Sequence, residues 1–209
     1  MPSWDPPFTR PLEWKKIYRE DMSMEGDPSA SEHGDLRVQI ACSDYNVDDS
    51  DWAKQHQFAY IRNTLITTKT GKLLLKADVR IEKGDCWAKM GDETGFSHFR
   101  VSLSTYLLFR LWKKVGERYR VVQEERFGLA DIWEAVLRGE GDKNYRDIYS
   151  GDEFINFSVT TRNSYDEGDQ FFVDFGVYGA YDVDVDDYEV KASHVVGRVR
   201  VDKINAEVV

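Results

Sequence analysis

Arg100, Tyr106, Arg110 and Trp112 all fall at even positions of one apolar run, FRVSLSTYLLFRLW, residues 99–112. In an extended chain they share a face, and successive same-face positions lie about 7 Å apart. They therefore form a ladder of rings and guanidinium groups. Such a ladder suits sugar rings, acidic sugars or an acidic protein surface. The expected ligand is a glycan or a protein partner, bound by Arg100, Tyr106, Arg110 and Trp112. His98 stands just before the run. If the chain is an enzyme, His98, Arg100 and Tyr106 are the first acid/base trio to test.

A second chemistry belongs to the carboxylates. YDVDVDDYEVK, 181–191, holds four aspartates and a glutamate, and SDYNVDDSDW, 43–52, holds four more aspartates. Hard cations take six to eight oxygens. A Ca2+ site would draw on Asp44, Asp48, Asp186, Asp187 and Glu189. It is not an EF-hand: no glycine stands sixth, no glutamate twelfth, and no helices flank it. YDVDVDDYE followed by VVGRVRV is similar to the last calcium loop and strand of C2-type domains. That resemblance implies calcium held between loops at one end of a sandwich. The long interval between LRVQI, 36–40, and INFSV, 155–159, departs from the compact C2 spacing. The alternative is structural. Valines between the aspartates fit a strand with a wet outer face, broken by one extra residue near Asp187.

The remaining motifs exclude more than they assign. The four histidines, at 33, 56, 98 and 194, lack metal-ligand spacing, and two cysteines do not make a zinc site. Cys42, in LRVQIACS, reads as a buried free thiol. There is no GxSxG, no phosphate-binding loop and no dinucleotide fingerprint. Glu124 and Glu125 point to opposite faces of a strand, so they are not the facing pair of a glycosidase.

Composition sets the frame. The chain has 209 residues, 41% apolar and 13% aromatic, with net charge −10. That supports a real core and disfavours nucleic acid as a partner. Residues 151–209 carry thirteen acidic and five basic side chains, while residues 72–126 carry eight and twelve. The split suits a homo-oligomer in which the basic strip meets the acidic end. No run is long and apolar enough for a transmembrane segment. MPSWDPPFTRPLEW shows no secretory signal, which favours a cytoplasmic location.

The elements that must position these groups are mostly strands. KLLLKADVRIE, 72–82, alternates strictly. With FAYIRNTLITT, 58–68, and the turn KTG it reads as a hairpin. FRVSLSTYLLFRLW pairs with RYRVVQEERF, 118–127. GLADIWEAVLRGEGD places Leu129, Ile132, Trp133, Val136 and Leu137 at helical spacing, predicting one short helix over 128–138. EFINFSVTTR, QFFVDFGVYGAY and HVVGRVRVDKINAEVV are further strands. Prolines 2, 6, 7 and 11 predict an N-terminal arm and linker over 1–35, with two helical turns at 12–19. The expected fold is an all-β, jelly-roll-like antiparallel sandwich of roughly 8–10 strands over 36–209.

Three functions fit this frame. One is a non-catalytic binding or structural module that self-assembles or engages a glycan or protein. Another is a β-sandwich enzyme acting on a polysaccharide or small hydrophobic substrate. The last is a calcium-dependent binding domain.

Overall fold

The computed structural model describes residues 2–20, 22–45, 51–92, 98–137, 143–151, 153–186 and 188–209. Of residues 19, 20, 43–45, 51, 92, 98, 136, 137, 186, 188 and 189 only the backbone is described. The fold is all-β, with two antiparallel sheets packed face to face. The strands are β1 (Ser3–Trp4), β2 (Pro11–Glu20), β3 (Ser29–Ala30), β4 (Asp35–Tyr45), β5 (Asp51–Ile66) and β6 (Gly71–Asp92). They continue with β7 (His98–Val115), β8 (Arg118–Leu137), β9 (Lys143–Ile148), β10 (Phe154–Tyr165), β11 (Gln170–Asp186) and β12 (Tyr188–Val208).

One sheet has seven strands, ordered β10-β6-β12-β4-β3, with β9 beside β10 along β6 and β1 on β12. The other has five, β2-β5-β11-β7-β8. The chain changes sheet between β1 and β2, β2 and β3, β4 and β5, β5 and β6, β6 and β7, β8 and β9, β10 and β11, and β11 and β12. Only β7 and β8 form a long hairpin, through Gly116 at φ +62°. This alternation of sheets is the jelly-roll wiring expected from the spacing of strands and turns.

Period-two patterning accounts for the core. Phe171, Val173, Phe175, Val177, Tyr181, Val183 and Val185 of β11 point inward and are buried. Facing them across the sandwich are Leu73, Leu75, Ala77, Val79 and Ile81 of β6 with Val195, Val199, Val201 and Ile204 of β12. Cys42 and Cys86 lie in this core as free thiols. Burial pushes the Cys42 thiol up to about 11 and raises Cys86 further.

Three local expectations are corrected. The stretch over 128–138 is not a helix, because Arg118–Leu137 is one strand. Its register slips between Thr105/Ala130 and Tyr106/Gly128, leaving Leu129 as an extra residue. Leu129 and Ala130 are then buried side by side, and Ile132 follows two residues on. A bulge turns a spacing of two into three, which imitates a helix in sequence. The segment 12–19 is likewise strand, the edge of the five-stranded sheet, with Ile17 exposed instead of docked. Finally, 58–82 is not a hairpin. β5 and β6 lie in opposite sheets, and 67–70 carries the chain between them. Alternation is the same whether a strand's successor lies beside it or across the core.

Residues of the expected arm join both sheets. β1 pairs with β12, β2 with β5 and β3 with β4. Phe8 and Met22 are buried. Gln57 reaches from β5 to this segment, donating to the Gly26 carbonyl at 2.9 Å and accepting from the Gln39 amide at 2.9 Å.

Candidate functional site

The ladder on β7 is real as a face. Arg100, Tyr106, Arg110 and Trp112 all point out of the five-stranded sheet, and among the described residues no helix covers them. Antiparallel register then supplies neighbours that no single segment reveals. Asp174 of β11 stands between Arg62 of β5 and Arg110 of β7, and Tyr178 stands between Phe58 and Tyr106.

Asp174 is the centre of this face. It is 1% exposed although it points away from the core. Arg62 grips it with both ends of the guanidinium, at 2.7 and 2.7 Å. The Trp112 indole N–H donates to Asp174 Oδ2 at 2.7 Å. The same guanidinium lies 5.0 Å from the Phe172 ring centre, 5.5 Å from Tyr60 and 5.6 Å from Trp112. A buried carboxylate survives only with such partners. One step along, Glu124 accepts from Arg110 Nε at 2.9 Å and from Arg126 at 2.6 Å. Burial pushes the Glu124 carboxyl up, but these two arginines hold it below the usual range. Arg126 then caps the Tyr106 ring at 4.8 Å.

The rings hold each other. Tyr106 and Tyr178, direct partners across β7 and β11, stack at 4.9 Å and 17°. Trp14 of the edge strand stacks on Tyr178 at 6.4 Å, and Phe58 on Tyr60 at 4.3 Å. Rings stacked across neighbouring strands stand on edge, faces turned to each other and rims to solvent. Tyr60 packs over Gly176, where an added Cβ would fall 2.6 Å from the Tyr60 Cβ and 2.1 Å from the Ala59 carbonyl oxygen. The Tyr178 hydroxyl lies 2.7 Å from His56 Nδ1. Burial, then Lys54, lowers the His56 imidazole below its ordinary value. Burial raises both tyrosines, Tyr106 to about 12. Their protons stay on at neutral pH.

The structure does not bring the acid/base trio together. Arg100 and Tyr106 are six residues apart on one strand, about 20 Å. Arg100 instead lies 3.7 and 3.8 Å from Asp182 and Asp184. The side chain of His98 lies outside the described residues. Glu124 and Glu125 do part to opposite faces: Glu125 accepts from Gln123 and from Arg162 of β10.

The acidic stretches are divided. The segment 181–191 is not one strand with a bulge, since β11 ends in one sheet at Asp186 and β12 begins in the other at Tyr188. Asp182 is tied to Lys54 at 2.6 Å and to the Trp52 indole at 2.9 Å. Backbone register sets Tyr45 against Val190 and Asp51 against Val185, so the two stretches leave the sheets at the same end. Asp48 and Asp187, and the side chains of Asp44, Asp186 and Glu189, lie outside the described residues. Among the described residues no three His, Cys, Asp or Glu side chains group to hold a metal. No described helix is long and apolar enough to cross a membrane.

Sequence reasoning missed Arg62, Asp174, Glu124, Arg126 and Tyr178 as parts of this face. Alternation along each strand signals that they point outward. What it lacks is the register that sets Asp174 between two arginines. No protein-family model matches the chain, and no curated protein matches it.

Proposed function

We propose that the chain is a non-catalytic binding module that docks a protein surface on the outer face of its five-stranded sheet, a second copy of itself first. The observation that carries this reading is the set of arginines 62, 110 and 126, each fixed on a carboxylate and each lying over at least one ring. Tyrosine, tryptophan and arginine are the side chains that dominate protein interfaces. Holding them in place before contact lowers the entropic cost of docking. The stacked Tyr106 and Tyr178 favour protein over glycan, because a sugar stacks on a ring face and these two rings turn their faces to each other.

Light scattering on a sizing column, from micromolar to several hundred micromolar, tests this. The expected result is a concentration-dependent dimer that reverts to monomer in Trp14→Ala and Tyr106→Ala. A strict monomer overturns self-association. Glycan-array binding that Trp112→Ala abolishes moves the ligand class to sugars.

A further inference from the structure

The outer face of the seven-stranded sheet has the opposite character. Arg198 of β12 is the direct cross-strand partner of Arg37 on β4 and of Lys83 on β6. Three cations thus stand in a row across three adjacent strands. Like charges directly opposite one another destabilise a sheet. The row walls a groove of about 380 Å³ floored by Val196 and Ala41, with His194 at its far side. No acidic side chain lines it. Nearby carboxylates are engaged elsewhere or shared. Glu82 takes Arg198 at 2.7 Å. Asp85, 1% exposed, is divided among Arg146 at 3.1 Å, His194 at 3.2 Å and Lys83 at 3.3 Å. The Arg37 guanidinium meets only the neutral side-chain carbonyl of Gln39 among the described residues.

The geometry points to an oxyanion site: this groove takes a dianionic tetrahedral group, a phosphate or phosphate monoester, between Arg37, Arg198 and Lys83. Two guanidinium groups offer paired N–H donors to such oxygens, and the lysine adds a point charge. The small floor leaves room for the ion over Val196. A bound dianion relieves the repulsion that the bare row carries. The acidity of the whole chain disfavours a polyphosphate backbone, but it does not cancel a local row of three cations with one groove between them.

Thermal melts in phosphate against chloride, at matched ionic strength, test the site. Ten millimolar inorganic phosphate is expected to raise Tm by about 3 °C in the parent chain. Arg37→Gln and Lys83→Gln should lose that rise. In chloride alone Arg37→Gln should melt no lower than the parent, since it removes a repulsion and no carboxylate partner among the described residues. Lys83→Gln also removes a partner of Asp85 and is compared only with itself in the two salts. General salting effects act on parent and variants alike, so an equal rise in all three overturns the site, as does no rise in the parent. Phosphorus NMR gives a second readout: the phosphate line broadens with parent protein and not with Arg37→Gln. O-phosphoserine in parallel separates sources. A response to both assigns a phosphate borne on a side chain or free, and a response to inorganic phosphate alone assigns the free ion.

Discussion

The two sheets turn the same kind of face inward and different kinds outward. On the five-stranded sheet each arginine beside the rings has a carboxylate, and each carboxylate has at least two donors. On the seven-stranded sheet three cations stand side by side with a share of two carboxylates. The first face is satisfied before any partner arrives, so it offers a rigid surface. The second is left short of negative charge, so it offers attraction. The difference shows that pointing away from the core does not make a residue merely solvated. Leu108, Phe58 and Asp174 are buried on an outward face because long neighbours lie across them.

The sharpest way to break this contrast is Asp174→Ala. It leaves Arg62 and the Trp112 indole without their acceptor in a half-buried setting, and is expected to cost about 3 kcal/mol in urea unfolding. A loss under 1 kcal/mol would mean the five-stranded face is not locked. Gly176→Ala comes next. Its methyl group meets backbone at 2.1 Å, so strand β5 must shift, at about 2 kcal/mol.

Acid compares the two faces more gently. Burial raises Asp85, Glu124 and Asp182, and their bonds to cations overcome this, leaving all three below ordinary carboxylate values. A carboxylate depressed in the folded state contributes stability that is full above its unfolded pKa and is lost as pH falls through the folded pKa. The expected loss therefore begins below about pH 4 and deepens with acid. Glu124→Gln and Asp85→Asn should each flatten part of that acid limb when stability is measured at pH 7 and pH 3. An unchanged limb in both would assign the acid response elsewhere. The smallest effect is expected from Trp133→Ala. This ring is 67% exposed, beyond the locked cluster, and its loss should change stability by no more than about 0.5 kcal/mol.

Much of this fold was legible in the chain. The alternation through Phe171–Val185 assigned inward and outward sides correctly, and the β7–β8 hairpin followed from its turn. The failures share a cause. Leu129 mimicked a helix because one bulged residue changed the local spacing. The β5–β6 hairpin was wrong because a turn does not record whether the chain returns beside itself or crosses the core. The site was half legible. Tyr106, Arg110 and Trp112 shared a face as their positions required, but Asp174 and Glu124, their partners, sit 62 and 14 residues away from the groups they bind.

By itself, then, the sequence determined that this is an all-β protein, which side of each strand is apolar, and that rings and guanidinium groups share one ladder. Those properties depend on spacing along the chain, where side chains alternate by simple geometry. Only the tertiary structure decided that one outward face would neutralise its charges and the other would not. That depends on register between strands far apart in sequence, where a slip of one residue would turn Asp174 inward and separate Arg37 from Arg198.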